Sequence, residues 1–418
     1  MFLKITLKSL LSRRGTVLMT VLTLAISLSL LFSIEHIRQQ AKASFTSSVS
    51  GTDLIVGARS GQLNLLLYSI FRVGNPTNNI SWDTYQHIKQ HRQIEWTVPI
   101  SLGDSHQGYR VIGTNGDYFR HFKYARQQPL SFSAGEPFGQ LYDVVLGAEV
   151  ARDLGYTLGD EIVISHGTGS TSFMHHDDKP FTVVGILQTT GTPVDKSLHV
   201  SLEAIEAIHL DWQHGAPMPG QSVSAEEAMQ KDLTPEAITA FLVGMKSRVA
   251  SFTVQRQIND YRNEPLTAIL PGVALAELWQ MLSSVENLLR IISALVLFAA
   301  FAGLVTTLLA SMKEREREIA ILRATGARPV TIFLLIQAEV IGITLAALVS
   351  ALAFVQGILY FGQSYLAERF GIMISAQLLN RTTVDISLLI LISAIVIACV
   401  PAITAYRKAL NKGLAPRI

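Results

Sequence analysis

Four long apolar stretches constrain this chain more than any other feature of its sequence. Each contains a run of at least 20 residues with at most one charged side chain, and the only charge in these runs is Glu339. A helix needs about 20 apolar residues to cross the hydrocarbon core of a bilayer. We therefore predict four transmembrane α-helices, at residues 15–34, 286–312, 330–361 and 384–406.

Composition agrees with a membrane protein that has one water-exposed part. Hydrophobic residues make up 49% of the 418 residues and charged residues only 16%, with a mean hydropathy of +0.33. The net charge of +2 is too small to indicate nucleic acid. The clustering of the apolar residues makes membrane lipid an expected partner. Cys399 is the only cysteine, which excludes a disulfide framework and any CxxC metal site.

The first apolar stretch has two readings, a signal peptide and a retained helix. Basic residues precede it, as they would in a signal peptide, and Ala41 and Ala43 have the spacing of a cleavage site. However, its apolar run is longer than the roughly 7–15 residues of a signal peptide, and charged residues begin at Glu35. A retained helix is therefore predicted.

Lysine and arginine predict the orientation of the spans. Four basic residues precede the first span, five lie in residues 313–329, and four lie in the tail at 407–418. The loop at 362–383 has only Arg369 and Arg381. By the positive-inside rule, both termini and residues 313–329 are expected in the cytoplasm. Residues 35–285 and the loop at 362–383 are thus expected on the outer side of the membrane.

Residues 35–285 predict a folded, mixed α/β domain. Residues 142–164 have the pattern of strand, helix, glycine turn and strand, and residues 180–187 and 196–202 are β-branched runs bounded by turn residues. Residues 201–210 have helical spacing after a serine cap. Residues 225–247 indicate further helix broken near Pro235.

Two stretches at the edges of this domain are unusual. Residues 275–296 predict a helix that continues into the second span and could carry motion between domain and membrane. Residues 63–71 are very apolar for a water-exposed domain. They indicate either a core segment or a membrane-proximal surface for lipid, a lipid-like substrate or a partner.

The sequence contains no phosphate-binding loop of the G-x-x-x-x-G-K-[ST] type, no H-E-x-x-H and no G-x-S-x-G. We therefore expect no catalytic residue and no cofactor in this chain. One cluster, His175, His176 and Asp177 with Asp178, has zinc-ligand chemistry. Adjacent side chains rarely bind one ion together, so a distant ligand such as His166 or His199 would be required, and a solvated loop is favoured.

Polar and small residues within the spans point to helix contacts. Glu339 lies near the start of the third span, where we expect a structural or coupling role and a basic partner such as Arg323 or Arg328. Ala25, Ser29 and Ser33 are spaced at i, i+4 and i+8 on the first span. Such small residues allow close helix packing in lipid.

Residues 1–14 predict a cytoplasmic, amphipathic N-terminal helix. Leucines at 3, 7, 10 and 11 lie on one side, and Lys4, Lys8 and Ser12 lie on another. The pattern suits a helix in the inner interface of the membrane, and it equally suits a basic topology signal.

A dense charge run, MKEREREIAILRATGARP at 312–329, separates the second and third spans. Alternating charges followed by Ile319, Ile321 and Leu322, with Gly326 as a stop, suit a short segment that contacts another protein. This run resembles the signature of the MacB/LolC/LolE/FtsX-like family of ABC transporter permeases, the type VII ABC transporters. The spans and the outer domain have the same order along the chain as in that family.

The resemblance implies a mechanical role. Family permeases dimerise, bind two copies of a separate ABC ATPase that holds ATP and Mg, and transmit movement to the periplasmic domain. The coupling residues implied here are Glu316, Arg317, Glu318, Ile319, Arg323, Gly326 and Ala327. The second permease would be another copy or a paralogue.

Three functions remain open on the sequence alone. The first is export or extraction of a lipoprotein, peptide or other amphiphile. The second is an FtsX-like scaffold that regulates a periplasmic or cell-wall partner. The third is metal-linked transport, which rests only on the cluster that begins at His175.

Overall fold

A computed structural model describes residues 2–48, 51–125, 127–166, 179–210, 212–213, 216–217, 223–314, 321, 324–370 and 377–411. The chain divides into two compact units. The membrane unit comprises Met1–Gln40, Ser283–Tyr365 and Ile374–Ile418, and the outer unit comprises Ala41–Leu282 and Leu366–Met373.

The α-helices of the described residues are α1 (Phe2–Ser12), α2 (Arg14–Ser47), α3 (Gln62–Leu66), α4 (Trp82–Lys89), α5 (Asp117–His121), α6 (Ala148–Leu154), α7 (Leu202–His209), α8 (Ala225–Ala228), α9 (Ser251–Asn259), α10 (Pro271–Glu314), α11 (Pro329–Phe370) and α12 (Arg381–Asn411). A π-helical turn at Leu67–Phe71 follows α3, and short 3₁₀ turns lie at Pro193–Lys196 and Arg248–Ala250.

The strands of the described residues are β1 (Leu54–Ala58), β2 (Ile80–Ser81), β3 (Ile94–His106), β4 (Tyr109–Thr114), β5 (Lys123–Tyr124), β6 (Gln128–Pro129), β7 (Phe132–Gly135), β8 (Asp143–Leu146), β9 (Glu161–Ile162), β10 (Ser165–His166), β11 (Phe181–Leu187), β12 (Ser197–Ser201), β13 (Trp212–Gln213), β14 (Ala216–Pro217), β15 (Ala237–Ile238), β16 (Ala240–Met245) and β17 (Leu266–Ile269).

Four helices of the described chain are long and apolar enough to cross a membrane, as predicted. The candidate spans are Arg14–Ala43, Pro271–Ala310, Pro329–Gly362 and Arg381–Thr404, within α2, α10, α11 and α12. All four helices run beyond the apolar stretches read from the sequence, because a helix that leaves the hydrocarbon layer still satisfies its own backbone hydrogen bonds. The continuous helix predicted across residues 275–296 is part of α10.

The outer unit is built around a mixed β-sheet, which confirms the predicted α/β class. The order of its main path is β17-β1-β16-β3-β4-β12-β8-β11-β7, with β10 on β3 and β9 on β11. Strands β4 and β12 are parallel, as are β8 and β11, and the other pairs in this sheet are antiparallel. Strands β1 and β16 are buried on both faces, and their sequences therefore contain no polar side chain.

Local sequence signals decide several helix ends in the outer unit. Ser201 precedes α7, and its hydroxyl accepts a hydrogen bond from the Ala204 amide at 3.0 Å, as the predicted cap requires. Gly155 ends α6 in a left-handed conformation, with φ of 74°. Gly147 precedes α6 where a Cβ would lie 2.3 Å from the carbonyl oxygen of Val194, so only glycine fits that approach.

The helix predicted over residues 225–247 is wrong for most of its length. Only α8, four residues long, forms in its first part, and Ala240–Met245 is strand β16 between β1 and β3. Pairing with two neighbouring strands outweighs the weak helical preference of this stretch. Gly244 has a packing reason as well, since a Cβ there would lie 2.0 Å from the Trp96 ring.

The apolar residues 63–71 form part of the hydrophobic core of the outer unit. Leu65, Leu66, Tyr68 and Ile70 are each no more than 3% exposed. This burial agrees with the core reading of the segment rather than with the lipid-facing surface.

A buried histidine lies in the same core. The His199 ring is fully buried, 5.0 Å from the Tyr118 ring and 5.9 Å from the Phe119 ring. Neither ring nitrogen has a partner of normal hydrogen-bond geometry among the described residues, although a backbone contact with Val145 favours the charged form. Burial, and secondly the charge of Arg72, lower the pKa of His199 to about 3.

The low pKa of His199 predicts a loss of stability in mild acid. The unfolded chain takes up a proton near pH 6.5, whereas the folded chain resists it until about pH 3, so stability falls as pH drops below 6.5. Between pH 7 and pH 5 the loss from this residue is about 2 kcal/mol. Replacing His199→Leu is expected to remove this part of the pH dependence. The measurement is denaturant unfolding followed by tryptophan fluorescence, because all four tryptophans lie in the outer unit.

His87→Gln is the matched control, since His87 is an exposed histidine of the same unit. It is expected to keep the original pH dependence. An unchanged acid sensitivity in the His199→Leu protein would contradict the assignment to His199.

Candidate functional site

The charged segment between α10 and α11 is only partly described. Glu316, Arg317, Glu318, Ile319 and Arg323, five of the residues predicted to contact an ATPase, lie outside the described residues. The other two, Gly326 and Ala327, lie in the turn that precedes Pro329, the first residue of α11.

The described part of this segment is a tight, exposed turn. The Thr325 amide donates to the Ile321 carbonyl at 3.0 Å, and Gly326 follows with φ of +93°. No atom of the described residues lies within 4 Å of the position that a Gly326 Cβ would take, and the backbone angle by itself favours glycine. Ile321 is 64% exposed, which leaves an apolar side chain available for contact at this turn.

The predicted packing face of the first span lies against a shared hydrophobic core. Leu24, Leu28 and Phe32 of α2 are almost fully buried in one cluster with side chains of α10, α11 and α12. Ala25 packs at the edge of that cluster, and Ser29 is 7% exposed. Leu24, Leu28 and Phe32 are large residues, which a pattern of small residues does not indicate.

Ser29 can be buried because its hydroxyl is satisfied within its own helix. It donates to the Ala25 carbonyl at 2.7 Å, one turn earlier. Ser33 is half-buried further along α2. The predicted small-residue face therefore lies partly inside the bundle of this chain.

Glu339 is 3% exposed and lines a small crevice in the membrane unit. The crevice has a volume of about 30 Å³, which is large enough for a water molecule. It is also lined by Arg13 from the α1–α2 junction and by Thr307 from α10. The sequence predicts Arg323 or Arg328 as the basic partner of Glu339, and it indicates Arg13 only through its position just before the first span.

The metal candidates His175, His176 and Asp177, with Asp178, lie outside the described residues. Among the residues that are described, no group of three or more histidine, cysteine, aspartate or glutamate side chains could hold a metal ion. His199, named as a distant ligand for such a site, is enclosed by the aromatic core.

Two protein-family models match the chain. The model of the MacB-like periplasmic core domain matches residues 17–261, which is more than half of the chain. The model of the FtsX-like permease C-terminal domain matches residues 290–413. No curated protein sequence matches the chain.

Two solved structures are similar in part. The periplasmic region of MacB from Actinobacillus actinomycetemcomitans is 11% identical, with a TM-score of 0.33, over 58% of this chain and 95% of that chain. The extracellular domain of the noncanonic ABC-type transporter YknZ from Gram-positive bacteria is 13% identical, with a TM-score of 0.29, over 52% and 99%. The family assignment rests on the two family models.

The buried face of α2 yields a direct test of the bundle. Replacing Leu28→Ala leaves a cavity in the shared core and is expected to cost about 2–5 kcal/mol of stability. Replacing Ile26→Ala, a residue 62% exposed on the same helix, is expected to change stability by less than about 0.5 kcal/mol. Thermal unfolding in detergent can be followed with a thiol-reactive dye at Cys399, the only cysteine, which lies in α12. Equal losses for the two variants would contradict this packing.

Proposed function

Because this chain belongs to the MacB- and FtsX-like family of ABC transporter permeases, we propose that it couples ATP hydrolysis in a partner subunit to movement of its extracytoplasmic domain. The observation that carries this proposal is the length of two helices. Helix α2 has 34 residues and α10 has 44, or about 50 Å and 66 Å at 1.5 Å per residue. The hydrocarbon core is only about 30 Å thick.

Both long helices contain residues of the membrane unit and of the outer unit. Unit boundaries fall after Gln40 within α2 and before Ser283 within α10, with no break in either helix. A helix with an intact hydrogen-bond ladder moves as a stiff element. In the proposed mechanism, displacement of α2 and α10 in the membrane therefore moves the residues that continue into the outer unit.

The proposed ATPase contact is the segment at 313–329. It begins in the last two residues of α10 and ends at the first residue of α11, so a subunit bound there would act on two membrane helices at once. Exposed Ile321 and the turn at Gly326 support a docking role for the described part. The coupling roles of Glu316, Arg317, Glu318, Ile319 and Arg323 rest on their sequence pattern alone.

ATP and Mg are assigned to the partner ATPase, because the 418 residues contain no phosphate-binding loop. We expect two ATPase copies, a second permease copy or paralogue, and no catalysis by this chain alone. The proposed setting is the bacterial inner membrane, by resemblance to the family. Both termini are proposed to lie in the cytoplasm, because of the distribution of lysine and arginine.

The proposed cargo is a lipoprotein, a peptide or another amphiphile taken up on the outer side. A second candidate is an FtsX-like scaffold that uses the same movement to regulate a periplasmic or cell-wall partner, and the FtsX-like match over residues 290–413 is compatible with both candidates. Proteoliposomes containing the chain and its ATPase distinguish the two. ATP-dependent release of a fluorescent lipopeptide supports cargo movement, and ATP turnover without release supports the scaffold.

Charge reversal in the coupling segment tests the ATPase contact. The Glu318→Lys, Arg323→Glu double variant reverses both charges, so each side chain would face a like charge wherever the ATPase supplies an opposite one, which costs about 1.4 kcal/mol or more. Recovery of the ATPase with the tagged permease is therefore expected to fall by about tenfold or more. The measurement is photolabelling of the purified complex with an azido analogue of ATP, together with ATP hydrolysis per permease.

Arg256→Glu serves as the control, because Arg256 is an exposed residue of helix α9 in the outer unit. It should leave ATPase recovery unchanged. If the coupling variant recovers as much ATPase as the unmodified chain, with equal hydrolysis, the assignment of this segment is wrong.

A further inference from the structure

A connected group of polar side chains joins three membrane helices at the end of the bundle where α2 and α10 continue into the outer unit. We call it the Arg38 network; its members are Glu35, Arg38, Gln39, Glu286, Arg290 and Asn380. All six belong to the membrane unit, and Gln39 lies one residue before the unit boundary in α2.

Arg38 is the centre of the network. Within α2 its guanidinium donates twice to Glu35, from Nη2 to Oε1 at 2.6 Å and from Nε to Oε2 at 3.1 Å. Across to α10, Nη1 donates to Oε2 of Glu286 at 3.2 Å. One arginine therefore binds a carboxylate on its own helix bidentately and a second carboxylate on the neighbouring helix.

The network also reaches Asn380, the residue that precedes α12. Gln39 donates to Oε1 of Glu35 at 2.7 Å, and Asn380 donates to Oε1 of Gln39 at 2.9 Å. The other amide atom of Asn380, Oδ1, accepts from the Thr383 backbone amide at 2.9 Å and so caps α12. The entry of α12 is thus hydrogen-bonded to the same side chains that join α2 and α10.

Partial burial makes the ion pairs of Arg38 stronger than ordinary surface ion pairs. The side chains of Arg38, Glu35 and Glu286 are only about one-fifth exposed, at 23%, 19% and 20%. Charge-assisted, bidentate arginine contacts in such a setting are stronger and less screened than exposed ones. Arg290, at 57% exposed and 3.7 Å from Glu286, makes the weaker contact.

The pairing is arranged so that it can open without leaving an unpaired charge. If α2 and α10 separate, Arg38 keeps Glu35 at i, i+3 on α2, and Glu286 keeps Arg290 at i, i+4 on α10. Each helix then carries its own neutral pair. A buried ion pair with no such second partner would leave a costly isolated charge on separation.

We propose that Arg38 and Glu286 form a reversible contact that fixes the spacing of α2 and α10 where these helices leave the membrane unit. Arg38 is thus a positioning residue. The charges of the network are balanced both when α2 and α10 are in contact and when they are apart. Its use in transport rests on the proposed function, in which α2 and α10 move together with the outer unit. The contact itself is independent of any ATPase.

The test measures the distance between the two helices in the full chain without an ATPase. Spin labels are placed at Ile37→Cys on α2 and Leu288→Cys on α10, both exposed positions, in a Cys399→Ser background. Double electron–electron resonance in lipid nanodiscs is expected to give one narrow distance distribution. Arg38→Gln is expected to broaden the distribution and add longer distances.

Glu286→Gln also removes the Arg38–Glu286 ion pair, with almost no change in side-chain shape, and it keeps the Glu35–Arg38 pair. If Arg38→Gln fails to fold, the result for Glu286→Gln is used instead. The same broadening is expected, and the double variant should add nothing further, because both changes remove one contact. Arg290→Gln, the control, should keep the narrow distribution. Distributions for Arg38→Gln and Glu286→Gln that match the unmodified chain would overturn the proposal.

This experiment and the recruitment test fail separately. If Arg38→Gln and Glu286→Gln broaden the distance distribution but the chain recruits no ATPase, the helix contact is supported and its role in transport is contradicted. If the chain recruits the ATPase normally but the two variants leave the distances unchanged, the proposed function is supported and the role of Arg38 is contradicted.

Discussion

Backbone hydrogen bonding in the hydrocarbon layer is the constraint on which the rest of this structure depends. No water is present there to pair with an amide or a carbonyl, so each crossing has to be a helix that satisfies its own backbone. Hydroxyl side chains in the spans follow the same rule: Ser29, Ser293 and Ser387 each donate to a carbonyl one turn earlier in the same helix. The bundle can then pack by shape, with Leu28 and Phe32 of α2 in the shared core.

Helices built in this way are also suited to carry displacement over long distances. Helices α2 and α10 extend well past the thickness of the hydrocarbon layer and contain residues of both units. In the proposed mechanism their relative spacing is the quantity that an ATPase changes. The Arg38–Glu286 contact lies near the unit boundaries on both helices, so it acts on that spacing directly. In the proposed contact, the closed and the open arrangement both have balanced charges, which suits a switching element.

The outer unit has hydrophobic cores of its own, on both faces of the mixed sheet. Strand β16, between β1 and β3, is buried along its whole length. The apolar segment at 63–71 is used to fill one of these cores, and so is the neutral ring of His199. A domain with its own packed interior can be moved as a body, as the proposed function requires.

Much of this architecture could be predicted from sequence, because it depends on properties that are local in the chain. The four spans follow from apolar runs of about 20 residues, and α7 follows from helical spacing after Ser201. The charge run at 312–329 and its turn at Gly326 were likewise recognisable from residue order.

The sheet and the interhelix contacts depended on residues that are distant in the chain. Residues 240–245 have no strong preference of their own, and they became a strand because β1 and β3 supply partners on both sides. Arg38 meets Glu286, and Glu339 shares a crevice with Arg13, only because the helices pack together. The sequence by itself determined which segments cross the membrane and where the chain folds outside it, since composition sets the transfer free energy of each segment. Tertiary structure decided which charges meet, since pairing depends on positions that no local pattern encodes.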